Sequence, residues 1–329
     1  MGVAALFVAG LLLMLAAAVL FTNSVEWGAG SLGLGHGVTG SILAAIGTAM
    51  PESIVPVVAL IAGGARATQT ATGAILGAPF MLATVGLGVT GLVCLISGRR
   101  QLHVPGAASR MVLMTFLLSY ILLIAGAFVP TPVRYGDAAL LAGLYALFVR
   151  RSLKANQPSD EESPQLLASR LPLAPSGKRG QLTLGICQFL ISLVGLAAAS
   201  EIFLSALHGI AGVVRLSALV LALLLVPLAT ELPELVAGSL WVAKGRDLLA
   251  FGNVTGAMAF QATVPAIIGL CFTPWALSKV GFLAAGITVV GALIGLALTR
   301  DRGVDARILA PAGLGLYAIY VVAVVAGRF

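Results

Sequence analysis

Ten apolar stretches follow one another along this chain, at residues 2–22, 33–62, 70–97, 111–129, 135–149, 182–207, 216–243, 248–273, 277–299 and 306–327. A helix needs about 20 apolar residues to cross the hydrocarbon of a bilayer, and only helices and closed barrels can cross it, because no water is there to satisfy open backbone groups. The stretches predict an all-α integral membrane protein of about ten transmembrane helices with short connections, the fifth being the shortest. Charged residues make up 9% of the 329, against about 25% in a soluble domain, so a soluble globule is excluded. The first stretch has no Lys or Arg before it, so it lacks the charged start of a cleaved signal peptide and reads as helix 1. Cys94, Cys187 and Cys271 are scattered through apolar segments and offer neither a disulfide framework nor a CxxC metal site.

A net charge of +7 in a soluble chain would suggest nucleic acid, but here the bases sit between apolar stretches and report orientation. Fourteen Lys and Arg lie in connections after odd-numbered helices, Arg99, Arg100, Lys244 and Arg246 among them, and five lie on the other face. The positive-inside rule then places the odd connections in the cytoplasm and both termini outside. Residues 150–181, with Asp160, Glu161, Glu162 and several prolines and bases, have the composition of a flexible cytoplasmic linker.

The linker separates two related halves. Leu43-Ala-Ala-Ile-Gly-Thr-Ala-Met-Pro-Glu52 and Gly73-Ala-Ile-Leu-Gly-Ala78 are echoed by Leu225-Val-Pro-Leu-Ala-Thr-Glu-Leu-Pro-Glu234 and Gly252-Asn-Val-Thr-Gly-Ala257. The Thr-x-x-Pro-Glu pattern of Thr48 recurs at Thr230, and the Gly-x-x-x-Gly-Ala pattern of Gly73 recurs at Gly252, in the same order and at nearly the same offset. The expected organisation is a first five-helix repeat over 1–149 with its motif at 43–82, a linker over 150–181, and a second repeat over 182–329 with its motif at 225–261. Five is an odd number, so the second repeat must enter from the opposite side. Inverted repeats with helices broken at corresponding places point to a substrate site at the bilayer midplane.

Pro51 and Pro233 read as mid-helix prolines, and each removes the donor for the carbonyl four residues earlier, at Gly47 and Ala229. Beside them stand Glu52 and Glu234, at a depth where an unpaired charge costs at least about 2.5 kcal/mol. Thr48 and Thr230 lie one helical turn before these carboxylates and add hydroxyl oxygens. Carboxylates, hydroxyls and freed carbonyls make an all-oxygen set, suited to hard cations such as Ca²⁺ or Na⁺. The plainer reading, kinked helices with protonated glutamates, explains one copy better than two related ones.

The same residues carry a resemblance. Gly47-Thr-Ala-Met-Pro-Glu52 and Ala229-Thr-Glu-Leu-Pro-Glu234, each followed by a small-residue helix, resemble the paired alpha repeats of the calcium/cation antiporter superfamily, which includes the sodium/calcium exchangers. The motifs fall within 38–82 and 226–261, and the five-plus-five layout with its linker matches over the whole chain. By this resemblance Glu52 and Glu234 are the central cation ligands, with Thr48 and Thr230 beside them. The family motif reads Gly-Thr-Ser-x-Pro-Glu followed by Gly-Asn-x-x-Gly-Ser. Here Ala49, Ala78 and Ala257 replace serines, Ala74 replaces the first asparagine while Asn253 keeps the second, and Leu82 and Gln261 stand where Asn or Asp is frequent. Glu231 replaces the serine of the second motif, three residues from Glu234. Two buried carboxylates in contact resist double ionisation. One reading gives Glu231 the charge that relatives place at Gln261 and favours a single cation site coupled to protons; the other turns Glu231 toward a water-filled vestibule.

The remaining polar residues carry weaker signals. Glu201 reads either as lining a cation path or as a charge near a helix end. Asp247 and Asp137 read as helix-start carboxylates, His36, His103 and His208 as solvated or interfacial, and Trp27, Trp241 and Trp275 as interfacial anchors. The chain has no Gly-x-x-x-x-Gly-Lys-Ser/Thr sequence and no zinc spacing, so an ATP-driven pump and an intramembrane enzyme are both disfavoured. The expected function is a secondary active cation antiporter exchanging Ca²⁺ against Na⁺ or H⁺ by alternating access. The alternatives are a monovalent cation/proton antiporter and a channel-like or non-transporting relative. No resident cofactor, nucleotide or nucleic acid is expected; the partners are membrane lipid and inorganic cations, and the oligomeric state is unspecified. A bacterial plasma membrane is the expected location.

Overall fold

A computed structural model describes residues 2–31, 49–154, 165–170, 175, 177–214, 218–301 and 303–327. Thirteen α-helices are found among them. Helix α1 (Val3–Ser31) is followed by α2 (Met50–Ala62), α3 (Gly64–Met81), a five-residue π turn (Leu82–Gly86) and α4 (Leu87–Ile96). Helices α5 (Gly106–Ala125) and α6 (Thr131–Lys154) complete the part before the polar segment. After it come α7 (Lys178–Val214), α8 (Ala218–Thr230), α9 (Leu232–Ala243), α10 (Asp247–Gln261), α11 (Val264–Phe272), α12 (Lys279–Leu298) and α13 (Ala306–Val325).

The described chain is all-helical apart from short strands, and seven of its helical segments are long and apolar enough to cross a membrane. Three shorter apolar helical segments, Met50–Ala62, Leu219–Leu228 and Glu234–Ala243, fall in the two stretches that carry the Thr-x-x-Pro-Glu motifs. Helix α6 is 24 residues long yet is not among the seven, in keeping with the weak fifth stretch.

The interruptions are local and have local causes. Helices α2 and α9 both begin with a residue followed by proline, so Pro51 and Pro233 stand in the first turn of a new helix, where a missing N–H costs nothing. They therefore start helices rather than kinking helix interiors. The chain turns from α2 into α3 through Gly63 and Gly64, with φ of 76° and 88°, and from α9 into α10 through Gly245, with φ of 73°. A side chain at those angles would be strained. The next span is broken in both halves too: the π turn follows Met81 in one, and Ala262 and Thr263 separate α10 from α11 in the other.

Small residues set how closely the helices approach. A Cβ at Gly73 or Gly77 of α3 would lie 2.5 Å from the carbonyl oxygen of Leu219 or Leu223 of α8, so only glycine permits this crossing. Pro227 removes the ladder donor for Leu223, and that carbonyl faces Gly77.

Polar ties hold the helix ends. A three-stranded antiparallel sheet of β1 (Gln101–Leu102), β2 (Thr299–Arg300) and β3 (Gly303–Asp305), in the order β1-β3-β2, joins the α4–α5 connection to the α12–α13 connection. Arg99 donates to both oxygens of buried Asp247 at 2.8 and 2.6 Å and to the Val242 carbonyl, and the His103 amide donates to Asp247 at 2.8 Å. The Asp247 carboxylate holds the Arg99 guanidinium above its ordinary range. Asp247 is thus a structural helix-start residue, as expected. Asp137 is not, because α6 begins six residues earlier at Thr131.

Trp275 departs from the anchor role expected of it. It is 1% exposed, adopts φ of 46°, and donates its indole N–H to the Leu123 carbonyl at 2.9 Å. A buried indole finds a partner inside the protein, whereas an interfacial one finds water. Opposite it, Arg134 donates to the carbonyls of Thr273 and Pro274 at 3.2 and 2.5 Å.

Candidate cation site

Three carboxylates from two broken spans meet in the interior. Glu52 is 2% exposed, and Glu231 and Glu234 are 0% exposed. Glu52 and Glu234 stand in the first turns of α2 and α9, where the positive end of the helix dipole favours negative charge. Glu231 is the residue between α8 and α9, immediately before the new helix starts. Glu52 lies beside the side chains of Thr230 and Glu231 and within electrostatic reach of Glu234, and Glu231 is in reach of both other carboxylates. Three such groups in a water-poor interior cannot all carry charge without protons or cations between them.

Gln261, the last residue of α10, donates its side-chain amide to Glu231 Oε1 at 2.5 Å. The two residues singled out in the sequence are thus in contact: the amide of Gln261 orients the Glu231 carboxylate at the α8–α9 break. Neither oxygen of Glu52 completes a well-aligned hydrogen bond among the described residues, nor do Glu231 Oε2 and Gln261 Oε1. These are buried oxygens that a cation, a proton or water can satisfy.

Of the other expected ligands, Gly47 and Thr48 lie outside the described residues. Thr230 is buried and donates to the Val226 carbonyl at 3.1 Å, which leaves its oxygen lone pairs available toward Glu52. Ala229 lies in the last turn of α8, and Pro233, which has no N–H, stands where its ladder donor would be. Asn253 is buried on α10, but about 12 Å along the helix axis from Gln261. Its amide nitrogen is without a hydrogen-bond partner among the described residues. Among those residues no group of three His, Cys, Asp or Glu side chains has the mutual spacing of a metal cage, so the carboxylates cluster without converging on one point.

Two features escaped the sequence reading. Ser53, buried next to Glu52, has a hydroxyl without a partner among the described residues. Pro56 removes the ladder donor of the Glu52 carbonyl itself; its signal was present in the spacing, four residues after the carboxylate. Glu201 is exposed on α7, while Ser200, Phe203 and Leu204 on that helix are buried, so its side chain points away from this cluster. His36 lies outside the described residues. His103 is mostly exposed, and His208 is half-buried and in hydrogen-bond contact with Thr70 at 3.1 Å.

Comparison with known proteins gives this geometry its family. The family model described as sodium/calcium exchanger protein matches twice, over residues 2–154 and 184–326. The chain belongs to the sodium/calcium exchanger family. It is 26% identical over 273 residues to the putative antiporter CaxA of Alkalimonas amylolytica, covering 83% of this chain and 82% of that one. Its fold is similar to that in the crystal structure of an H⁺/Ca²⁺ exchanger CAX, with a TM-score of 0.76 at 17% identity over 99% of this chain and 82% of that one. The sodium-calcium exchanger NCX_Mj is similar with a TM-score of 0.63 at 19% identity over 97% of each chain. The protein is accordingly a multi-pass membrane antiporter of a cation-exchanger family, and the two family matches fall on the two halves seen in the sequence.

Proposed function

We propose that this protein is a secondary active antiporter exchanging Ca²⁺ against Na⁺ or H⁺, with Glu52 and Glu234 as the central ligands. Thr48, Thr230, Ser53 and the carbonyls of Gly47 and Ala229 would add neutral oxygens, and Glu231, held by Gln261, a third carboxylate. Asn253 and Gln261 would add side-chain amides from α10. The observation that carries this reading is the pair of buried glutamates in the first turns of two half-helices, one in each half of the chain, in electrostatic contact. A divalent cation neutralises two carboxylates, and the competing ion would replace it on the same oxygens.

The reading includes ten crossings arranged as inverted repeats over 1–149 and 182–329. The seven long segments, α6, and one crossing each from residues 33–62 and 216–243 make up the ten. The polar ties support this count. Arg99–Asp247 joins the connections after the third and seventh crossings, and β1–β3 those after the third and ninth. Arg134–Thr273 joins those after the fourth and eighth, and Thr70–His208 the start of the third to the end of the sixth. Each tie links two points that ten crossings put on one face. With the basic connections inside, both termini lie outside and the linker is cytoplasmic, in a bacterial plasma membrane.

Radioactive Ca²⁺ uptake into proteoliposomes that are Na⁺-loaded, pH-graded or gradient-free tests the reading. Uptake that needs one gradient and is lost in Glu52→Gln and Glu234→Gln is the expected result. Rapid flux without a counter-ion would make the protein a channel. No Ca²⁺ flux under any gradient from folded protein would leave monovalent cation/proton exchange or a non-transporting role.

A further inference from the structure

Outside the carboxylate cluster, the buried side-chain oxygens that complete no hydrogen bond among the described residues belong to Ser119, Tyr120 and Tyr320. Ser119 can turn its hydroxyl to a carbonyl one turn back in its own helix, as Thr115 does toward Met111 at 2.9 Å. A tyrosine hydroxyl stands too far from its own backbone for that. Tyr120 on α5 and Tyr320 on α13 are both 0% exposed. Both lie in segments long and apolar enough to cross a membrane, where bulk water is absent. A phenol left dry there loses its bond to water and gains nothing in exchange.

Packing fixes both rings, so neither hydroxyl can swing out to an interface. Tyr120 stacks on Phe116 with ring centroids 5.3 Å apart. Tyr320 lies against Phe80 at 4.7 Å, and Phe80 also meets Tyr317 at 5.7 Å. Tyr120 lies beside the Thr288 side chain of α12 without completing a well-aligned bond to it, and within electrostatic reach of Tyr320. Thr288 is 0% exposed and donates its own proton to the Ala284 carbonyl at 2.8 Å, so toward the tyrosines it can only accept. The three hydroxyls bring neutral oxygens and no charge of their own, which suits water rather than a metal cation.

We propose that Tyr120, Tyr320 and Thr288 form an internal hydration site whose ligand is ordered water. A water that accepts from both phenols and donates to Thr288 makes about three bonds, the usual number for buried water, and places both phenol protons. Helix α5 precedes the polar segment of the chain, and α12 and α13 follow it. The site therefore ties the two halves inside the membrane by a polar contact that uses none of the carboxylates. It concerns a neutral ligand and stands independently of the transport reading above.

X-ray radiolytic labelling of the full-length reconstituted protein tests the site, because the radicals come from water and a buried ring is labelled only where water touches it. Tyr120 and Tyr320 should be labelled well above Phe203, an aromatic of 0% exposure on α7. Labelling no greater than that of Phe203 would overturn the site. Tyr120→Phe, Tyr320→Phe and the double variant then give the sign of the energy. Phenylalanine keeps the ring, so losing a bridged hydroxyl lowers the midpoint of thermal unfolding, whereas losing a dry one raises it. Each single variant should lower the midpoint by about 2 °C. The double variant should fall short of the sum, since both phenols hold the same water. A midpoint that rises or stays unchanged in either single variant, or losses that simply add, would overturn the shared site. The labelling is read on the unaltered protein, so it decides the proposal even where a variant does not fold.

Discussion

Helices α3 and α10 carry the same small-residue pattern in the two halves and use it in different ways. Both carry Gly-x-x-x-Gly-Ala, both follow a glycine turn, and both lose regular helix at the same point, at Leu82 in one half and just after Gln261 in the other. Yet α10 brings Asn253 and Gln261 to its buried face, where the first half has Ala74 on α3 and Leu82 at the start of the π turn. Helix α3 instead spends its small residues on contact: Gly73 and Gly77 let it lie directly on α8, the helix that ends at Thr230 and leads into Glu231. One helix of the pair supplies chemistry and the other supplies position. Geometry depends on where side chains are absent as much as on where oxygens are present.

The largest effect tests whether the halves are equal where they remain alike. Glu52→Gln and Glu234→Gln should each reduce Ca²⁺ uptake at least about a hundredfold; a tolerant variant in either half would show that one glutamate is not a ligand. Next comes the packing difference. Gly77→Ala places a Cβ against the Leu223 carbonyl and should cost about 1–3 kcal/mol, seen as a lower midpoint of thermal unfolding. Gly252→Ala on α10, where no described atom lies within 4 Å of the added Cβ, should leave the midpoint nearly unchanged.

A matched substitution at equivalent positions sharpens the chemical difference. Gln261→Met removes the donor to Glu231 and should raise the half-saturating Ca²⁺ concentration about tenfold, while Leu82→Met should be close to silent because volume and polarity are kept. Glu231→Gln belongs beside it: uptake with an unchanged pH dependence would remove Glu231 from any part in coupling. The smallest effect is expected from Thr230→Val, a roughly threefold rise in half-saturating Ca²⁺ from the loss of one neutral oxygen.

The paired glutamates, the broken spans and the small-residue helices were legible because each is a short local pattern, and the recurrence of two patterns in the same order, at Thr48 and Gly73 and again at Thr230 and Gly252, made chance a poor explanation. Glu231 and Gln261 were legible only as a pair of anomalies; that one holds the other needed coordinates. Arg99–Asp247 and Asn23–Gln188 were not legible at all. Their partners lie 148 and 165 residues apart, and nothing in the spacing of an isolated Asn or Gln distinguishes a solvated amide from one that bonds across helices. Trp275 was misread for a related reason, since an aromatic near a helix end is an anchor or a core residue according to what packs over it.

The sequence by itself determined that this chain crosses a membrane repeatedly, that two motifs recur in order in its two halves, and that two carboxylates stand beside prolines inside the apolar stretches. These follow from hydrophobicity, parity and proline, which act within a few residues of chain. Tertiary structure alone decided that a third carboxylate joins the other two and that an amide orients it. It also decided that Arg99 reaches Asp247 and that the Trp275 indole is buried, because such contacts exist only once distant segments are packed and their remaining polar atoms must find one another.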